Sequence, residues 1–183
     1  MKISDLKKDG GSYAEQYWRL YESAFPSEEK KPVPFMEELY RKGITEFLVL
    51  EEKHEFAGLV ILMKYEGVVL LDYFAVTESI RGKGIGSEVL SALLELYRDW
   101  KFVVEIEALV PEAGNLQERI RRKSFYMKNG LKETGVFAYV YETDFEILSS
   151  DGQLTYEQYV QFLTDTMGSF LLEAGKIHRI AAL

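Results

Sequence analysis

Seven consecutive residues, Arg81-Gly82-Lys83-Gly84-Ile85-Gly86-Ser87, set three glycines at alternate positions between an apolar run and an amphipathic one. Glycine lacks a Cβ, so the turn can be tight and its backbone N–H groups can approach a ligand closely. A helix starting here would aim its unpaired N–H groups and the positive end of its dipole at the same place. That combination suits an anion, phosphate above all. The competing reading is a glycine-rich helix entry that binds nothing. Two phosphate motifs fail on spacing. A Walker-type loop needs its second glycine where Ser87 stands. A dinucleotide fingerprint needs its third glycine at Ser87 or, counted from Gly84, at Val89.

Three further groups could do chemistry. Glu105 and Glu107 sit two apart in the run FVVEIEAL, so on a strand they share one face. Carboxylates are costly to bury dry, so this pair should line a wet cleft or meet cationic partners. Asp72, on a preceding apolar run, is a third carboxylate. Arg119, Arg121, Arg122, Lys123, Lys128 and Lys132 fall within 14 residues that contain no acid. They read either as a solvated helix face or as an attractor for a polyanion.

Composition removes several chemistries. The chain has 183 residues, 47% of them hydrophobic and 14% aromatic, which is enough for a substantial core and argues for one domain. There is no cysteine, hence no disulfide, thiolate metal site or cysteine nucleophile. His54 and His178 are the only histidines, so a histidine-rich metal site is excluded. Both are expected at the surface. The net charge of −8 disfavours a nucleic-acid partner. No secretory leader and no apolar run long enough for a membrane span are seen, and a cytoplasmic location is expected.

The elements that must position these groups follow from periodicity. Residues 1–6 alternate weakly, as a first strand. Ser12 with Glu15 forms a capping-box pattern ahead of a helix over about 13–25. A short helix over 35–42 follows the proline-containing run. Apolar runs at 47–50, 56–63 and 68–76 predict a three-strand antiparallel meander. Helices are expected after the glycine loop and over 116–129, and strands at 102–109, 136–141 and 145–148. Thr155 with Gln158 caps a last helix predicted over 156–172, which either packs on its own core or makes a homodimer. The order implies an α+β (mixed α/β) fold, a mostly antiparallel central sheet flanked by helices with one crossover and an extra C-terminal helix.

The pattern Arg81-x-x-Gly84-x-Gly86 after Phe74-Ala75-Val76 resembles the pyrophosphate signature of the GNAT superfamily of N-acetyltransferases. Phe125-Tyr126-Met127-Lys128-Asn129-Gly130-Leu131 resembles the same family's FYxxxGF segment. The element order also resembles the GNAT fold, with a core over about 1–148 and an extension over 149–183. The chain departs from the family pattern in two places. Arg119 and Arg122 stand where many members have asparagine and alanine.

The resemblance implies a direct transfer of acetyl from acetyl-CoA to a primary amine, more simply a small molecule than a protein, with no metal. It implies a strand splay at Phe74, Ala75 and Val76 that frees backbone groups for the pantetheine arm. It places the pyrophosphate on Arg81, Gly82, Lys83, Gly84, Ile85, Gly86 and Ser87, with Asn115 as a substitute for the missing asparagine. Tyr126 corresponds to the family's tyrosine that protonates the departing thiolate. The amine must lose a proton, and Glu107 is the preferred base, with Glu105, Asp72 or water as alternatives. The contrasting reading is a non-catalytic acyl-CoA-binding or sensing domain.

Overall fold

The computed structural model describes residues 1–140, 142–168 and 177–181, without the side chain of residue 28. The chain forms two compact units, Met1–Lys64 with Leu71–Leu96, and Tyr65–Leu70 with Tyr97–Leu183.

The first unit holds β1 (Lys2–Asp5), α1 (Ala14–Ala24), α2 (Val33–Arg41), β2 (Thr45–Glu52), nearly all of β3 (Glu55–Tyr65), the end of β4 (Val68–Val76) and α3 (Ile85–Leu96). β2 pairs antiparallel with β1 and with β3. The β2–β3 turn is Lys53-His54, both at positive φ, the two-residue geometry whose twist matches the flanking strands. Alternate residues of these strands meet the apolar faces of α1 and α2. Tyr17, Tyr21, Met36, Phe47, Val49, Leu59, Ile61 and Tyr73 form the core there. The tyrosine hydroxyls are not wasted in it: Tyr17 donates to the Val60 carbonyl at 3.0 Å and Tyr21 to the Lys31 carbonyl at 2.9 Å.

The second unit holds the start of β4, β5 (Lys101–Glu107), α4 (Leu116–Lys128), β6 (Lys132–Val140), β7 (Thr143–Ser149), α5 (Tyr156–Met167) and β8 (Ile177–Arg179). β7 pairs antiparallel with β5 and β6, and β8 pairs antiparallel with β6. The strand order is β1-β2-β3 in the first unit and β5-β7-β6-β8 in the second, and β4 contributes residues to each. This is the mixed, mostly antiparallel sheet with flanking helices that the sequence predicts. The Thr155–Gln158 capping box forms, and α5 buries Tyr159, Phe162, Leu163 and Met167. The predicted stretch 169–172 of that helix lies outside the described residues. A cavity of about 410 Å³ beside α5, lined by Leu154, Phe162 and Asp165 among others, contains none of the candidate site residues.

Several boundaries depart from expectation. The Ser12–Glu15 box does not form: a 3₁₀ turn at Gly11–Tyr13 leads into α1 with no side-chain cap, and Glu15 pairs with Arg19 one turn on. α2 begins at Val33 rather than Phe35, because Pro34 falls in the first turn, where a missing N–H breaks no helical bond. α3 begins at Ile85, inside the glycine run. The three-residue β8 was not anticipated from the sequence.

Candidate functional site

In the first unit, β4 ends at Val76, a 3₁₀ turn covers Glu78–Ile80, and α3 starts at Ile85. The loop residues Arg81 to Gly84 are exposed, and Ile85, Gly86 and Ser87 are half-buried. Gly82 and Gly84 have φ of +77° and +81°. A Cβ at either would meet nothing within 4 Å, so conformation rather than space requires glycine there. Ser87 and Glu88 donate to the Gly84 carbonyl at 3.0 and 3.1 Å. These open the helix, and amides ahead of them have no intrahelical acceptor by helix geometry. Two side chains brace the loop: Arg81 Nε donates to the Val76 carbonyl at 3.4 Å and Lys83 Nζ to the Ser79 carbonyl at 2.8 Å. The geometry therefore fits a phosphate: a left-handed glycine pair before a helix start, open to solvent, with a hydroxyl at Ser87 and two cations.

Phe74, Ala75 and Val76 are half-buried at the end of β4. Thr77 N donates to the Ala57 carbonyl at 2.9 Å, which keeps β3 alongside. Gly58 makes that approach possible, since a Cβ there would lie 2.3 Å from the Ala75 oxygen. Sequence reasoning missed Gly58. The available signal was a lone glycine inside an apolar strand run, a common mark of close backbone approach.

Asp72, on the same strand, is spoken for. Its Oδ1 accepts from Lys31 Nζ at 2.6 Å, with the two side chains only 4% and 9% exposed. Its Oδ2 is buried without a hydrogen-bond partner. Tyr73 O–H accepts from the Lys31 amide at 2.9 Å, and the Lys31 ammonium lies over the Tyr73 ring at 5.2 Å. Trp18 and Phe25 pack against the core cluster.

In the second unit Glu107 closes β5, and its carboxylate is held from three sides. Arg119 Nη2 approaches at 3.0 Å, Arg122 Nη1 at 2.5 Å and Asn115 Nδ2 at 3.2 Å. Arg119 Nε donates to Asn115 Oδ1 at 2.7 Å, and its Nη1 donates to the Ala108 carbonyl at 2.8 Å. The structure thus brings Glu107, Asn115 and the two departing arginines into one network. Glu105 accepts from the Tyr159 hydroxyl at 2.5 Å. The cationic stretch is split in two. Arg119, Arg122 and Lys123 make ion pairs with strand carboxylates, whereas Arg121, Lys128 and Lys132 are exposed.

Tyr126 lies in the last turn of α4, edge-on to Phe125. Burial pushes its hydroxyl up to about 12, against a weaker opposing pull from the Arg122 charge. Among the described residues that hydroxyl has no hydrogen-bond partner. It is an uncommitted acid that stays protonated at neutral pH. His54 is exposed in the β2–β3 turn, and His178 stacks on Tyr139 with ring centroids 4.7 Å apart.

A strand that runs through a glycine loop into a helix N-terminus has a geometry suited to a phosphate-bearing ligand. The chain belongs to the acetyltransferase (GNAT) family, whose sequence profile matches residues 13–128. It is an acyltransferase by that membership. No curated protein matches the chain. Among solved structures, a protein from Bacteroides thetaiotaomicron assigned as a GNAT-family acetyltransferase superposes with a TM-score of 0.72 at 18% identity. The match covers 92% of this chain and 97% of that one. An aminoglycoside 6'-N-acetyltransferase complexed with coenzyme A superposes with a TM-score of 0.61 at 15% identity, over 81% and 96%. A spermidine N-acetyltransferase chimera from Vibrio cholerae and hSSAT gives 0.58 at 15%, over 81% and 95%. Among the described residues no helix is long and apolar enough to cross a membrane.

Proposed function

We propose that this chain transfers the acetyl group of acetyl-CoA to a primary amine of a small molecule, by direct attack of the amine on the thioester. The observation that carries the reading is the loop from Arg81 to Ser87, whose left-handed glycines and open helix start suit a pyrophosphate. The backbone of Phe74, Ala75 and Val76 would take the pantetheine arm, and the N–H around Phe74 would polarise the thioester carbonyl. The amine nitrogen bonds to the carbonyl carbon and the carbon–sulfur bond breaks. The departing sulfur takes the Tyr126 proton, which the raised hydroxyl has kept in place.

The amine's own proton needs another acceptor. Glu107, the preferred base on the sequence, already accepts from two guanidinium groups. With Asn115 also donating to it, its oxygens are occupied and it has no open side for an incoming amine proton. Glu105 and Asp72 are committed to Tyr159 and Lys31. We therefore assign this proton to water and give Glu107 a positioning role.

Two solved neighbours carry aminoglycoside and spermidine in their names, and both are small cationic amines. A net charge of −8 suits an acceptor of that kind. A reducing cytoplasm suits a chain without cysteine whose product is a free thiol. The test is a CoA-release assay over a panel of amines, with mass spectrometry of the products. Release with an acetylated amine is the expected result. Binding of acetyl-CoA without release from any amine would overturn the reading in favour of a non-catalytic binding domain.

A further inference from the structure

Helix α4 is attached to its sheet in an unusual way. None of its 13 residues is buried as a whole, although the hydroxyl end of Tyr126 is. Its half-buried residues are Leu116, Arg119, Lys123, Phe125 and Tyr126, and two of those five are cations. Ion pairs supplement the contacts of Leu116, Phe125 and Tyr126. Arg119 and Arg122 hold Glu107 on β5. Lys123 Nζ lies 2.8 Å from both oxygens of Glu146 on β7 and 2.6 Å from Glu133 on β6. Glu146 and Glu107 are only 4% and 12% exposed, whereas Glu133 is 53% exposed. Removing Glu146 would leave Lys123 to its exposed partner alone.

Apolar contact is non-directional and tolerates a small slide or roll of a helix. A low-exposure ion pair resists a change of distance, and a guanidinium on a carboxylate adds a preferred angle. Lys123 precedes Tyr126 by three residues, about one turn. We infer that Glu146 acting through Lys123, and Glu107 acting through Arg119 and Arg122, are positioning residues: they fix the height and rotation of α4 and so place the Tyr126 hydroxyl. This rests on the reading of Tyr126 as the acid. It assigns the inward cations to the helix rather than to the coenzyme.

The first readout is independent of turnover. In protein labelled at the tyrosine ring carbon bearing oxygen, the Tyr126 resonance, assigned by its loss in Tyr126→Phe, is titrated by NMR. Wild type should titrate near about 12. Glu146→Gln should move the midpoint toward the ordinary tyrosine value of about 10, as the ring loses its fixed buried setting. The second readout is a kinetic cycle. Glu146→Gln should lower kcat by about 10- to 100-fold, the cost of a displacement near 1 Å, and leave the KM for acetyl-CoA within about threefold. Lys123→Arg in an otherwise wild-type chain should keep most of the rate, since a cation still meets Glu146. In a Tyr126→Phe background, Glu146→Gln should have almost no further effect, since the two act through one group.

Arg122→Gln, at a half-exposed side chain, serves if the Glu146 variant does not fold. It should lower kcat with an unchanged KM for acetyl-CoA at low and high salt. A salt-dependent rise in that KM would instead assign Arg122 to the coenzyme. An unmoved Tyr126 resonance in Glu146→Gln, or additive losses in the cycle, overturns the inference. Full turnover in Tyr126→Phe with a shifted resonance in Glu146→Gln overturns only the acid assignment and leaves the positioning intact.

Discussion

Gly58→Ala tests whether the end of β4 has the close contact on which the coenzyme reading depends. The added Cβ would sit 2.3 Å from the Ala75 oxygen, 3.0 Å from Val76 Cα and 3.1 Å from Leu50 Cδ1. Ordinary contact begins near 3.4 Å, and two of these three neighbours are backbone. No rotamer change relieves a backbone clash, so β3 and the end of β4 must part by about 1 Å in a densely packed interior. Overpacking of this kind costs about 1–3 kcal/mol. At about 2–4 °C per kcal/mol for a chain of this size, the melting temperature should fall by about 2–12 °C. The displaced atoms belong to Phe74-Ala75-Val76, so affinity for acetyl-CoA should fall by about tenfold as the backbone donors move. Thermal melts with and without acetyl-CoA, together with calorimetric titration, measure both effects. Gly114→Ala is the control, since a Cβ there meets nothing within 4 Å. A Gly58→Ala protein with the melting temperature and coenzyme affinity of the control would refute the contact, and with it the route from Gly58 to the site.

Gly84→Ala forces a side chain onto a φ of +81°, at a cost of about 1–2 kcal/mol. It should weaken coenzyme binding in calorimetry, and equal binding would remove the loop from the site. Lys31→Met strands the buried Asp72 carboxylate and should cost about 3–5 kcal/mol in chemical denaturation. The double variant Lys31→Met/Asp72→Leu should recover most of that loss, and a loss as large as the single variant's would show that the pair is not the cause. Tyr126 titrates near about 12, above its unfolded value of about 10, so the folded state holds the proton more tightly. Its contribution to stability is therefore complete below pH 10 and is lost between pH 10 and about 12. On the rate profile, no alkaline limb due to Tyr126 should appear below about pH 11, and one that vanishes in Tyr126→Phe would contradict the shift.

Much of the fold was legible because local chemistry and the final structure agree. Lys53-His54 and Glu66-Gly67 interrupt apolar runs and become positive-φ turns. Thr155 and Gln158 spell a capping box and form one. The misreadings arise where a tertiary partner competes with the local pattern. Ser12 and Glu15 match the capping-box pattern equally well, yet Glu15 has Arg19 within reach and α1 is entered through a 3₁₀ turn. Pro34 looked like a breaker because sequence alone does not say whether a proline stands in the first turn or the third. β8 is three residues long and owes its conformation to β6, so no periodicity could announce it.

The candidate site divides along the same line. The glycine loop is legible because its function depends on backbone, and glycine advertises backbone freedom in the sequence itself. The roles of Glu107 and Glu146 are hidden because they depend on which face of α4 turns inward. Hydrophobic periodicity normally answers that question, and the inward stripe of α4 carries Arg119 and Lys123 where apolar residues would mark it. One trace was nevertheless visible. Arg119 and Arg122 were conspicuous as departures from the family pattern, and these are the two residues that close on Glu107. The guanidinium of Arg122 and the commitment of the nearby carboxylate go together: a carboxylate that holds α4 in place is not free to take a proton from the amine. The double variant Arg119→Asn/Arg122→Ala would release Glu107 from both guanidinium groups. In such a variant an acid limb that Glu107→Gln abolishes should appear in the pH–rate profile, and its absence would show that Glu107 is no base even when freed.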